Sequence, residues 1–408
     1  MCPDARRILL ADADAFYVAV ARLVDPDGAG KAPCLIVGGS ADGRGVVTSA
    51  SYEARAFGVH SAMPTARAIR LCPQAVVAPV PFEACVQKGR EIRRTLQQFT
   101  PVVDQASSDE FYLDMSGTER LYHAEPLPTT ARRIRDAVKA ATSLTVSIGG
   151  GTSKVVAKLA TGVAKPRPGH EGTGVHVVEP GGELDFMRQF KLADIHGVGP
   201  RFQERLATYG LVTVEDALRH DVKILQGWLG KNGGAWLYGR VRGIDGAHVP
   251  SDRQARSISR DETFSKDIND DAALIEHLLR LVDRATTDCR ASGLRARTVT
   301  VRLREADFTD RQASRTVREA ICTDRAVMAV ARPLFQRLRA ARSRPARLIG
   351  VALSGLVDEE APAQLSLFSS EPQGLQDTHR DQALSKAVDE LRSRFGRRAI
   401  ARGRTPRR

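Results

Sequence analysis

Three observations predict an α+β fold spread over several domains. The chain has 408 residues, too many for one ordinary hydrophobic core. Short apolar runs of strand character alternate with amphipathic helical stretches, but not in the βαβ order of a doubly wound sheet. Over residues 190–243 the pattern changes to short helices with glycine turns, and beyond residue 256 it changes again.

Taken in order, residues 6–12 read as a buried strand and residues 16–23 as the start of a helix. Residues 32–37 and 45–49 are short strands with glycines between them, and 51–58 and 63–71 have helical character. Residues 87–99 form an amphipathic helix, and 102–106 a strand leading into an acidic cluster. A helix over 130–143, a strand over 145–149 and a helix over 153–162 follow, the last ending at Lys165-Pro166. Residues 244–256 read as a linker. Beyond it, 297–304 and 348–356 have strand patterns, while 272–292 and 309–342 read as amphipathic helices, the second broken. After Leu356 the chain becomes rich in Pro, Gln and Ser, then in Arg, which predicts a flexible tail with some helix near 380–395.

Hydrophobic residues make up 42% of the chain, and no apolar run approaches the length of a membrane span. The first seven residues lack a signal-peptide apolar region, so the expected location is the cytoplasm, without membrane association. Six scattered cysteines form no C-x-x-C pair, which argues against structural zinc and for reduced, buried thiols. The net charge of +13 is uneven, with residues 251–350 carrying 21 bases against 14 acids. Phosphate backbones are the natural partner of such a surplus, although a solvated arginine-rich surface has the same composition.

Two acidic clusters bear the chemistry: Asp12-Ala13-Asp14-Ala15-Phe16-Tyr17, and Ser107-Ser108-Asp109-Glu110-Phe111-Tyr112-Leu113-Asp114. Each puts carboxylates at the end of an apolar stretch, where burial is costly without a cation. Carboxylates converging from two strands suit a pair of Mg²⁺ ions, which take oxygen ligands and share them with substrate phosphates. An aspartate-rich turn at a strand end is the plainer reading of either cluster alone.

Around these clusters the chain resembles a Y-family DNA polymerase of the bacterial DNA polymerase IV (DinB) type, from residue 6 to about 368. Asp12–Tyr17 is similar to the family's D-x-D-x-F-[YF] opening, and Ser107–Leu113 to its S-x-D-E-x-Y-L block. Between them Tyr52-Glu53-Ala54-Arg55-Ala56-Phe57-Gly58-Val59 resembles Y-E-A-R-x-F-G-V. Ser147-Ile148-Gly149, with Lys154, Ala157-Lys158 and Lys165-Pro166, resembles a later block. The chain departs from the pattern at Ser108, where the family usually has an apolar residue, at Ala15 and over residues 150–153.

The resemblance implies a right-hand polymerase. Its parts would be a palm (1–15 and 80–178), fingers (16–79), a helix-hairpin-helix thumb (179–243), a linker (244–256), an α/β little finger (257–356) and a flexible tail (357–408). It implies that Asp12, Asp109, Glu110 and the carbonyl of Ala13 hold two Mg²⁺, with Asp14 and Asp114 structural. Ser49, Tyr52, Arg55 and Lys165 would bind the triphosphate of a dNTP, arginine as a rigid fork and lysine as a point charge. Tyr17 would be the steric gate that excludes a 2′-hydroxyl.

Gly197 and Gly199, in a Gly-Val-Gly turn, resemble a helix-hairpin-helix that offers backbone N–H groups to phosphate. Arg302 and Arg304 lie on the strand face opposite Val299, Val301 and Leu303, where they would meet DNA. Gln364, Leu365, Leu367 and Phe368 resemble the bacterial sliding-clamp-binding peptide. The implied protein is a monomeric, nucleoid-associated, error-prone translesion polymerase acting on primer–template DNA without proofreading. A non-catalytic scaffold of a mutagenesis complex is the rival, and relatives of that kind tend to lose the metal acids.

Overall fold

The structure is a computed structural model and describes residues 6–167, 171–250, 254–341, 344–359, 375–396 and 399–400. It divides into two compact units, Met1–Arg253 and Gln254–Arg408.

The first unit opens with strand β1 (Ile8–Ala13) and helix α1 (Phe16–Val24), as the sequence predicts. There follow β2 (Leu35–Gly38), β3 (Val47–Ala50), α2 (Tyr52–Ala56), α3 (Thr65–Leu71) and β4 (Val76–Ala78). These three strands make a small sheet, ordered β3-β2-β4, with its own core of Ile36, Val47, Met63 and Cys72. Next come α4 (Phe82–Leu96), β5 (Val103–Gln105), β6 (Glu110–Asp114), α5 (Leu127–Thr142), β7 (Val146–Gly151), α6 (Lys154–Ala164) and β8 (Val175–Val177). Helix α4 begins five residues before the amphipathic stretch predicted from residue 87.

The larger sheet runs β5-β6-β1-β7-β8, with the fully buried β1 at its centre and antiparallel to both neighbours. Two-residue alternation sorts its side chains. Leu9, Ala11, Phe111, Leu113 and Ile148 pack with Ile92 and Leu96 of α4 and Ile134 and Val138 of α5. Ile8 and Leu10 face the other way, toward Ala157 of α6. Asp12 shares their parity.

The unit ends in five short helices: α7 (Glu183–Arg188), α8 (Pro200–Ala207), α9 (Val214–Leu218), α10 (Val222–Leu229) and α11 (Lys231–Arg240). Leu206, Leu225 and Leu237 from them share a core with Val156 and Leu159 of α6. The stretch predicted as a linker starts as ordered chain. Ser153 Oγ donates to the Gly243 carbonyl at 2.6 Å, Arg6 donates to the Ala247 carbonyl at 3.2 Å, and Val249 is buried beside Leu10.

The second unit consists of β9 (Ser257–Ile268), α12 (Asp271–Ala291), β10 (Leu294–Glu305), β11 (Asp310–Ile321), α13 (Asp324–Ala341), β12 (Ala346–Asp358) and α14 (His379–Phe395). Its antiparallel sheet is ordered β11-β10-β12-β9, and one face carries α12 and α13 through Leu278, Val282, Val327 and Phe335. The long helix expected over 309–342 is corrected to strand β11 followed by α13. Ala313, Val317 and Ile321 are buried at four-residue spacing, which imitates a helix face. In the sheet's edge strand the intervening Arg315 and Glu319 are exposed.

The expected flexible tail is also corrected in part, because α14 is tied to its unit. Arg290 grips Asp389 through Nε at 2.7 Å and Nη2 at 3.0 Å, Arg392 pairs with Asp283 at 3.0 Å, and Asp377 accepts the Cys322 N–H at 2.7 Å. No helix among the described residues is long and apolar enough to cross a membrane.

Candidate active site

The antiparallel register of β1 and β6 sets Asp12 directly opposite Glu110. Beyond it the Ala13 N–H donates to the Asp109 carbonyl at 3.0 Å, which keeps the second cluster against the first. Ser107 shapes that cluster: its hydroxyl donates to Asp109 Oδ1 at 2.7 Å and accepts the Glu110 N–H at 3.2 Å. Asp14 accepts a hydrogen bond from Ser147 Oγ at 2.7 Å. Asp114 likewise accepts the Ser116 N–H at 2.9 Å.

Positive charge arrives from one helix. Lys154 and Lys158, one turn apart on α6, and Lys165 at its C-terminal cap each meet an acid of the sheet. Lys154 lies 3.4 Å from Asp104, Lys158 is bonded to Glu110, and Lys165 lies 2.5 Å from Asp12. The helix reaches this depth because Gly149 of β7 has no side chain. A Cβ there would stand 2.0 Å from the Thr161 nitrogen and 2.3 Å from the Ala157 carbonyl oxygen, both backbone atoms of α6. Thr161 Oγ1 also donates to the Leu10 carbonyl at 3.2 Å.

Asp12 is only 5% exposed. Burial pushes its carboxyl up to about 6; Lys165 pulls the other way, Glu110 adds to the rise and Lys158 opposes it.

Tyr52 and Arg55 stand on α2, whose N-cap Ser51 accepts the Ala54 N–H at 3.3 Å. The Arg55 guanidinium lies 5.0 Å from the Tyr52 ring centre, and its Nε donates to the Ala50 carbonyl at 2.9 Å. Burial, then the nearby Asp14 charge, pushes the Tyr52 phenol up to about 12, so it remains a hydrogen-bond donor at neutral pH. Ser49 is buried on β3. Tyr17 is half-buried on α1, and its hydroxyl meets Ser108 Oγ at 2.9 Å.

Among the predicted residues, Asp12, Glu110 and Lys165 are therefore in contact, with Asp109 held one residue away. Sequence reasoning assigned no role to Lys158, Ser107 or Ser147. The spacing of Lys154 and Lys158, four apart on a helix that runs on to Lys165, was the available signal for the first.

Elsewhere in the first unit, exposed Gly197 adopts φ +101° against the Trp236 ring, and Gly199 caps α8 ahead of Pro200. In the second unit Val299, Val301 and Leu303 are buried, and Arg302 and Arg304 lie on the opposite parity, as predicted. Neither arginine is an unengaged cation, however. Arg302 pairs with Asp261 at 3.0 Å, and Arg304 makes a fork with Asp310 at 2.8 and 2.7 Å. Gln364, Leu365, Leu367 and Phe368 lie outside the described residues.

The impB/mucB/samB family model matches residues 11–162, and the C-terminal domain model of that family matches residues 255–367. DNA polymerase IV 2 of Agrobacterium fabrum is 36% identical over 368 residues, covering 89% of this chain and 99% of that protein. DNA polymerase IV of Caulobacter vibrioides is 34% identical over 393 residues, covering 96% and 92%. The fold matches a solved Dbh–Dpo4 Y-family DNA polymerase chimera with a TM-score of 0.77 at 22% identity, covering 86% of this chain and 99% of that one. It matches DinB from Sulfolobus solfataricus with a TM-score of 0.57 at 23% identity, covering 85% and 98%. The fold is thus the palm, fingers, thumb and little finger architecture of Y-family polymerases. With both family models matched in order and relatives aligned over nearly their whole length, the chain belongs to the DinB (DNA polymerase IV) family of Y-family translesion DNA polymerases.

Proposed function

We propose that this chain is a template-directed, error-prone DNA polymerase that adds dNTPs to a primer 3′ end and copies past damaged bases without proofreading. The observation that carries this reading is the facing of Asp12 and Glu110 across β1 and β6, beside Asp109 and the lysines of α6. In this reading the palm is 1–15 with 80–178, the fingers 16–79, the thumb 179–243 and the little finger 257–356.

Among the described residues no three His, Cys, Asp or Glu side chains gather closely enough to hold a metal ion. The ammonium groups of Lys165 and Lys158 occupy two of the carboxylates instead. The donor chemistry nevertheless fits Mg²⁺: three carboxylates and the Ala13 carbonyl are all hard oxygen ligands, and buried Asp12 already requires a cation. Asp12, Asp109, Glu110 and the Ala13 carbonyl would hold two such ions. Bound there, they would make the primer hydroxyl easier to deprotonate and offset charge on the departing pyrophosphate.

The chain's own groups do the rest. Lys165, released from Asp12, offers a point charge to the triphosphate; Arg55 offers a planar fork, Tyr52 a phenolic donor, and Ser49 a hydroxyl. The Tyr17 ring lies under the sugar and leaves no room for a 2′-hydroxyl, which restricts the substrate to deoxynucleotides. The turn at Gly197 and Gly199 holds duplex phosphate, and Arg302 and Arg304 do so once phosphate displaces their aspartates. Gln364, Leu365, Leu367 and Phe368 dock on the sliding clamp.

Mg²⁺-dependent primer extension tests the reading. Wild type should extend, and Asp109→Ala should lose at least about a hundredfold in rate, an electrostatic loss of a few kcal/mol. Equal extension by the two would refute the catalytic reading and favour a scaffold.

A further inference from the structure

Ser108 places an exposed hydroxyl beside the second acidic cluster, and its neighbours give that hydroxyl a task. Strand β1 turns into α1 through Ala15, which holds a left-handed conformation at φ +44°, ψ +45°. This abrupt turn puts Tyr17 back over the loop that carries the second acidic cluster. One side of the Tyr17 ring is fixed by packing: it stands edge-on to Phe16, with ring centres 5.3 Å apart at 74°. Its far end makes a 2.9 Å hydrogen bond to Ser108 Oγ.

Ser107 and Ser108 thereby divide their work. Ser107 braces Asp109 and Glu110, while Ser108 ties Tyr17 to the same backbone. The Ser108 backbone is itself confined, because a Cβ added at Gly89 of α4 would lie 3.1 Å from its carbonyl oxygen. An anchor fixed in this way limits how far the phenol end of the ring can swing. An apolar side chain at 108 could fill space there but could not hold the hydroxyl.

We infer that Ser108 is a positioning residue for Tyr17, and that its hydrogen bond sets how strictly the site rejects ribonucleotides. This rests on Tyr17 being the sugar gate. A ring free to tilt leaves room for a 2′-hydroxyl part of the time, so the selectivity ratio falls even though the ring remains. Ser108 is exposed, so its substitution leaves the core intact.

The test is single-nucleotide insertion on a primer–template, comparing kcat/KM for a dNTP and its matched rNTP. Ser108→Ala should lower the dNTP:rNTP ratio about two- to tenfold, the range that one net hydrogen bond supports. Tyr17→Phe, which removes the other partner, should lower it equally, and the double variant should fall no further than either single one. Ser108→Thr, which keeps a hydroxyl, should restore the ratio. An unchanged ratio in Ser108→Ala, or additive losses in the double variant, would overturn the positioning role. Tyr17→Ala separates the two levels: it should abolish most of the selectivity, and an unchanged ratio there would overturn the gate reading itself.

Discussion

Asp12 is buried with an ammonium group as its main counter-charge. Raising its carboxyl to about 6 from 3.8 means that the folded chain keeps a proton there that the unfolded chain has already lost. This group's contribution to stability is fully present below pH ~4 and disappears as pH rises through about 6. At pH 7.5, without divalent metal, the ionised carboxylate should weigh against folding by about 1–3 kcal/mol. Asp12→Asn should therefore raise Tm in EDTA at pH 7.5 and flatten the change in Tm between pH 4 and 6, while eliminating primer extension. A lower Tm for the variant would show that the Lys165 pair outweighs the burial cost. In the proposed metal-site role the same residue would serve function at the expense of stability.

At the scale of elements, the depth at which α6 sits on the sheet sets the charge balance of the site. Gly149 permits that depth, and any Cβ there meets the helix backbone. Gly149→Ala should cost about 1–3 kcal/mol by overpacking, read as a lower denaturant midpoint. It should also reduce extension, since Lys158 and Lys165 are carried away from Glu110 and Asp12. Gly162, on the same helix, faces open space. Gly162→Ala is the control and should gain about 0.5–1 kcal/mol from helix propensity. A neutral Gly149→Ala would show that the helix can shift without consequence.

At the scale of the whole molecule, the surplus of basic residues over 251–350 is partly spent within the sheet. Arg302 and Arg304 carry acids of their own, so contact with a phosphate backbone must exchange one anion for another. Helix α14 extends the second unit well past β12, and its ion pairs to α12 make it a fixed element. The proposed clamp peptide falls between these two elements in sequence. Deleting Gln364–Phe368 should leave basal extension unchanged and abolish stimulation by the bacterial sliding clamp. Stimulation that survives the deletion would place the clamp contact elsewhere.

Much of this protein was legible in the order of its residues. Two-residue alternation marked the inward face of β10, the apolar run over 6–12 marked β1 as a buried strand, and the two acidic clusters with the Tyr52–Arg55 segment supplied the site's candidates. Where periodicity is ambiguous, the sequence misled. Ala313, Val317 and Ile321 look helical until β10 provides the edge that β11 pairs with. The long reach of Arg290 to Asp389, 99 residues away, has no local signature either.

The sequence by itself determined which side chains are candidates for the chemistry, because types and local spacing are properties of the chain. Only the tertiary structure decided who meets whom: Asp12 with Lys165, Glu110 with Lys158, and Tyr17 with Ser108. Those pairs depend on strand register and on the closeness of α6, and both are fixed by packing between segments far apart in sequence.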